Sequence, residues 1–154
     1  MSNIIMVKHP EQKAAIVQHI LLQLPDWFGL PDSTAEYIEQ SRELPVWAAF
    51  DNDQPVGFIS LQRTCPRTVE VHCMGVLPYL HRRGTGRALM EAAKSHCLRQ
   101  GDLLMQVKTV DAGHYAAYDR TIAFYEAMSF IRLEVFPTLW DEWNPCLVLV
   151  MPLV

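Results

Sequence analysis

The chain has 154 residues, half of them hydrophobic and 19% charged, which is enough for one domain with a substantial core and argues against disorder. Its formal charge of -4 argues against a general nucleic-acid binder, which would carry a basic face. Four cysteines (Cys65, Cys73, Cys97 and Cys146) form neither a CxxC pair nor a metal-ligand spacing, and three lie in apolar runs. They read as small buried hydrophobes in a reducing compartment, with no metal expected. The opening "MSNIIMVKHPEQK" lacks a signal-peptide pattern, and no apolar run approaches the roughly 20 residues that span a bilayer. The expectation is a cytoplasmic protein.

Taken in order, "NIIMVKH" reads as a first strand, and Pro10 opens a helix with Ala14, Val17, Leu21 and Leu24 on its buried face. "PDWFGLPDSTAEYIEQSREL" gives a loop and a second helix, with Asp32, Ser33 or Thr34 as expected caps. "PVWAAF" and "VGFISLQR" are strand-length runs joined by the turn chemistry of "DNDQP", hence a hairpin. "TVEVHCMGVL" is a longer strand in which Gly75 marks a bulge or a close approach. The helix after Gly86 places Leu89, Ala92, Ala93 and Cys97 on one stripe and stops at Gly101. "LLMQVKTV", "AAYDRTIAFYEAM", "FIRLEVF" and "CLVLVMPLV" then read as strand, helix, strand and strand. A meander followed by strand-helix-strand implies an α/β fold of the mixed α+β kind, with helices on both faces of one sheet.

The segment "LPYLHRRGTGRALM" carries the strongest chemical signal. A helix N-terminus offers unpaired N–H donors and a positive dipole end. Gly84 and Gly86 let backbone approach a bulky phosphate, while Arg82, Arg83 and Arg87 add fixed charge. A tight turn with solvated arginines is the alternative reading. The dinucleotide fingerprint requires a glycine where Leu89 stands, and a P-loop requires a Gly-Lys-Ser/Thr ending that is absent.

This stretch, with "AFYEAMSF" some thirty residues on, resembles the GNAT superfamily of acetyl-CoA-dependent N-acetyltransferases, and the tail "FPTLWDEWNPCLVLV" is similar to that of small bacterial members with no assigned substrate. The family's pyrophosphate loop, Arg/Gln-x-x-Gly-x-Gly/Ala, is matched by His81, Arg82, Arg83, Gly84, Thr85 and Gly86. Its Phe-Tyr-Glu-x-x-Gly-Phe motif is matched by Phe124, Tyr125, Glu126 and Phe130. The resemblance covers Pro45 to Phe130. His81 stands where Arg or Gln is usual, Ser129 replaces a glycine, and Tyr118 occupies a frequent Asn position. It implies a central, mostly antiparallel sheet of about seven strands, splayed in the middle.

Acetyl transfer requires deprotonation of the amine, a polarised carbonyl, a held oxyanion and protonation of the departing thiolate. The resemblance implies that Met74, Gly75 and Val76, with Tyr118 and the residues of the loop as far as Arg87, hold the cofactor, and that Tyr125 donates a proton to sulfur. For the base, Glu70 and His72 alternate onto one strand face; the first matches a catalytic glutamate of the histone-modifying branch, and the second has an ordinary pKa of about 6.5. A solvated strand carboxylate and a core histidine are the plain alternatives, and His114 is a further candidate.

The resemblance also implies an acceptor pocket from the first helices and the last loop. There Trp27, Phe28, Trp140 and Trp143 would form walls, with Asp26, Asp141 and Glu142 attracting a cationic amine. Core or dimer contacts are the alternative. The expected activity is N-acetylation of a small-molecule primary amine by direct attack in a ternary complex. A non-catalytic acyl-CoA-binding sensor and an aminoglycoside-type acetyltransferase are the other readings. A homodimer through the last strand and its nearby tryptophans is expected, with neither nucleic acid nor membrane as partner.

Overall fold

The computed structural model describes residues 3–154. Its elements run β1 (Asn3–Val7), α1 (Pro10–Leu21), α2 (Pro31–Gln40), β2 (Val46–Asp51), β3 (Gln54–Cys65), β4 (Thr68–Val76), α3 (Thr85–Arg99), β5 (Leu104–Val110), α4 (Ala116–Ala127), β6 (Ile131–Phe136) and β7 (Cys146–Pro152), the order expected. The strands form one seven-stranded sheet, ordered β1-β2-β3-β4-β5-β7-β6. The β4–β5 ladder is parallel and the ladders of β1–β2, β2–β3, β5–β7 and β6–β7 are antiparallel, so the class is a mixed, mostly antiparallel α/β sheet. The chain divides into two compact units, one of residues 3–62 and His72–Cys97, the other of Arg63–Val71 and Leu98–Val154.

In the first unit, β2 and β3 turn through Asn52 and Asp53, whose φ of 50° and 66° match the left-handed residues of a tight hairpin. Helix α1 starts with Pro10 and buries Ala14, Val17, Ile20 and Leu21. A Cβ on Gly75 of β4 would lie 2.9 Å from Leu24 Cδ1 and 3.0 Å from Ile20 Cγ2, so that glycine makes room for α1 and the residues just after it. A Cβ on Gly57 of β3 would instead meet Leu89 of α3 at 3.2 Å and Val76 at 3.2 Å. Side chains alternate along strands, so α1 and α3 cover opposite faces of this β3–β4 portion.

Helix α2 departs from the expected caps. Leu30 is its N-cap and has no side-chain acceptor for a cap bond, while Pro31 at the first helical position sets the helical φ and leaves no N–H of its own to satisfy. Thr34 turns its hydroxyl to the Phe28 carbonyl instead, at 3.1 Å. Helix α3 begins at Thr85, one residue before Gly86, and Gly101 (φ 84°) follows its end.

In the second unit, the β4–β5 ladder joins Thr68–Val71 to Leu104–Val107, whereas β4 continues to Val76 and β5 to Val110. Arg63 grips Asp102 with two bonds of 2.7 and 3.2 Å; Asp102 is buried, so this pair anchors the turn into β5. Helix α4 ends in a Schellman motif: Phe130 N–H bonds the Tyr125 carbonyl at 3.0 Å and Ser129 N–H the Glu126 carbonyl at 3.1 Å. Ser129 adopts φ 79° there, so the turn normally given to glycine is kept with a side chain in place. The last strand, β7, is hydrogen-bonded on both sides, and the edges of the sheet are β1 and β6, the residues of β6 all being exposed.

Cys73, Cys97 and Cys146 are buried and Cys65 is exposed. Among the described residues, no helix is long and apolar enough to cross a membrane.

Candidate active site

The loop into α3 is built by backbone conformation. Leu77 N–H bonds the Val56 carbonyl at 2.9 Å, tying the end of β4 to β3. A short turn at Pro78–Leu80 follows, and then Arg82 and Gly84 adopt φ 66° and 85°. A Cβ at Gly84 would find nothing within 4 Å, so glycine serves the conformation there while the space around it stays open. The Gly84 carbonyl accepts the first helical bond from Ala88 N–H at 2.9 Å, which leaves the N–H groups of Thr85, Gly86 and Arg87 without intrahelical acceptors. The first turn carries no acid, and Arg82, Arg83 and Arg87 are exposed. Open space, oriented donors and three guanidinium groups suit a multiply charged anion such as a diphosphate.

His81 is engaged elsewhere. Its Nε2 lies 2.7 Å from the Val76 carbonyl, and since a carbonyl only accepts, Nε2 carries the proton. Its ring meets Trp27 edge-on at 5.8 Å. Sequence had set these two residues in different roles, cofactor and acceptor, and the fold brings them together. Met74 and Val76 are half-buried on either side of Gly75.

His72 lies at a cavity of about 210 Å³ lined by Ser33, Glu36, Tyr37, Gln40 and His72. Its Nε2 is 2.7 Å from Gln40 Oε1, and the Gln40 amide nitrogen donates to Glu36 Oε1 at 3.3 Å. The Tyr37 ring packs against His72 at 5.4 Å, and Phe28 packs against Tyr37 at 5.9 Å. Phe28 was expected near an acceptor; Ser33, Glu36, Tyr37 and Gln40 were missed. Their spacing of three, four and seven residues from Ser33 marks one face of α2, a readable signal of a polar helix stripe aimed at a common target.

The other candidates lie in the second unit. Glu70 is buried, and its Oε1 receives Lys108 Nζ at 3.0 Å and Gln106 Nε2 at 3.2 Å. Tyr125 is buried and packs edge-on against Phe124 and Phe130, while Tyr118 is half-buried beside Tyr115. His114 lies exposed in the loop before α4. Trp140, Asp141, Glu142 and Trp143 are exposed in the β6–β7 connection. Asp141 Oδ1 accepts the backbone N–H groups of Trp143 and Asn144, both at 2.8 Å, and both carboxylate oxygens accept from the Asn144 side chain. Those bonds, the Asn144 side chain first, hold Asp141 below the usual carboxylate range and employ it in closing its own turn. Among the described residues, no three His, Cys, Asp or Glu side chains gather at metal-binding spacing.

Known proteins share the fold. The acetyltransferase (GNAT) domain profile matches residues 42–132. A GNAT-family protein from Desulfovibrio desulfuricans superposes with a TM-score of 0.87 at 17% identity, covering 100% of both chains. The Escherichia coli ribosomal-protein-S18-alanine N-acetyltransferase gives 0.78 at 18% identity, covering 99% of this chain and 94% of its own. An aminoglycoside 6'-N-acetyltransferase complexed with coenzyme A gives 0.75 at 19% identity, covering 99% and 97%. No curated protein matches the chain by sequence. The profile spans more than half of the chain, and on that ground the chain belongs to the GNAT acetyltransferase family.

Proposed function

We propose that this protein transfers an acetyl group from acetyl-CoA to a primary amine of a small molecule, by direct attack within a ternary complex. The observation that carries the reading is the anion cradle at the start of α3: Gly84 with open space around it, the N–H groups of 85 to 87, and the arginines at 82, 83 and 87. These residues fit the diphosphate of coenzyme A in charge and shape. When bound, acetyl-CoA supplies the thioester that the amine attacks.

The chain's own residues take the remaining tasks. Met74, Gly75 and Val76 offer backbone groups to the cofactor arm, and the end of the β4–β5 ladder at Val71 and Val107 supports that assignment. His81 holds the Val76 carbonyl rather than a phosphate oxygen. An ammonium acceptor gives up one proton before attack. As the N–C bond forms and the C–S bond breaks, the nitrogen loses a second, and the sulfur gains one, so the net release is a single proton. His72 is the preferred base, since it lines a cavity large enough for an amine group, whereas Glu70 is committed to Lys108. Tyr125 is assigned as proton donor to sulfur and Tyr118 to the cofactor arm, both on the motif match. Trp27 and Phe28 flank the acceptor side, with Trp140 and Glu142 as outer contacts. Asp141 has a structural task in its turn.

The chain is read as one domain, because each compact unit is assembled from two separate stretches of it. A second copy is proposed to pair along the open β6 edge.

Titration calorimetry with acetyl-CoA, with NAD and ATP as controls, is the deciding test. Selective binding in the micromolar range is expected, and amines are then screened for acetylation. Tyr125→Phe should bind acetyl-CoA as the wild type does and turn over more slowly. Folded protein that ignores acetyl-CoA would remove the reading. Binding without turnover on any amine would favour the non-catalytic sensor.

A further inference from the structure

We infer that Gln40 is a positioning residue, which with Glu36 fixes His72 in the tautomer that has its proton on Nε2 and its basic lone pair on Nδ1. The inference deepens the proposed function, since it supplies the base of that site with a defined reacting atom.

What each group can donate sets the direction of every bond. An ionised carboxylate only accepts, so the Gln40 group facing Glu36 Oε1 at 3.3 Å must be the NH₂ end of the amide. That fixes the amide's other end, and Oε1 is 2.7 Å from His72 Nε2. An amide oxygen only accepts, so Nε2 must be the protonated nitrogen. A neutral imidazole carries one proton, and Nδ1 is therefore its acceptor. Direction is imposed along the whole chain of bonds, from Glu36 through Gln40 to the ring.

Two further observations make this more than a surface contact. Holding an exposed glutamine in one conformer costs side-chain entropy, and Gln40 is exposed yet bound at both ends of its amide. The Tyr37 ring meets His72 at 5.4 Å with an interplanar angle of 68°, which limits rotation of the imidazole about its own axis. Glu36, Tyr37, Gln40 and His72 all line the same cavity, together with Ser33. Glu36 is the one acid in that lining, so the group that orders the chain of bonds also gives the cavity its negative charge. A cationic amine drawn to Glu36 would arrive beside a base whose acceptor nitrogen is already determined.

The test reads the tautomer without substrate. In protein with ¹⁵N-labelled imidazoles, a long-range ¹H–¹⁵N spectrum above the histidine titration range should show His72, identified by its loss in His72→Gln, protonated on Nε2. Gln40→Leu should give a mixture of tautomers. Gln40→Glu keeps an acceptor-only partner and should retain the wild-type pattern. In turnover with acetyl-CoA and an amine that the screen identifies, Gln40→Leu should lower kcat roughly 10- to 100-fold and leave KM for acetyl-CoA unchanged. A wild-type His72 protonated on Nδ1, or a Gln40→Leu variant with unaltered spectrum, overturns the inference. Failure of the acetyltransferase reading is separate: a protein that binds no acetyl-CoA but shows the Nε2 tautomer lost in Gln40→Leu refutes the function and keeps the positioning.

Discussion

Glu70 and His72 are two positions apart on β4, equal in spacing and both titratable, yet the fold gives them different partners. Glu70 meets Lys108, 38 positions further on (108 − 70), and His72 meets Gln40, 32 positions back (72 − 40). No local pattern carries that information, which is why the sequence left the choice of base open. The cysteines are the opposite case, since their apolar neighbours announced burial. Burial pushes the Cys73 thiol pKa up, against a smaller opposing effect of its hydrogen bond with the Met74 backbone, and burial likewise raises Cys146. An excess of thiol reagent at pH 8 should therefore label Cys65 alone in the folded protein, the others reacting only in denaturant. Fast labelling of two or more thiols would contradict this. The unfolded thiol ionises near 9.0 and the folded Cys73 does not, so this residue costs nothing below that pH, and stability falls as pH rises above it.

Among the elements, the end of α4 is the one whose sequence departs from family habit while its geometry does not. Ser129 holds φ 79° inside a complete Schellman motif, and the Tyr125 and Phe130 rings, 5.4 Å apart, supply the apolar contact that accompanies it. A side chain in that region costs about 1–2 kcal/mol, partly offset by the greater freedom of an unfolded glycine. Ser129→Gly should thus stabilise the protein by about 0.5–1 kcal/mol in a urea melt, and a lower midpoint would show that the serine hydroxyl has a task of its own. Element order was fully legible because strand alternation, helix periodicity and glycine stops agreed with one another. The start of α2 was misread because Pro31, a starter, was passed over for three polar residues behind it. Gly75 announced a close approach, but not that Ile20 of α1 and Leu24 just after it make it.

At the scale of the whole molecule, motif order made the family readable, while the edge position of β6 was not. β7 is the most hydrophobic strand and reads as an interface, but it is flanked by β5 and β6, and β6 is left with Ile131 and Leu133 at 62% and 60% exposure. An exposed apolar edge invites pairing. Sedimentation should give a dimer, and Leu133→Lys should shift it to monomer; a wild-type monomer at every concentration would dismiss the second copy. The division of β4 between the two units has a different consequence, one for the growing chain on the ribosome. No single cut separates the units, because residues 63–71 belong with 98–154. Once Cys97 has emerged, the first unit has all its parts, whereas Thr68 still waits for Leu104, its parallel partner 36 positions on (104 − 68). Such long closures are slow, so the loop into α3 is complete in sequence before the unit carrying Tyr125 has been made.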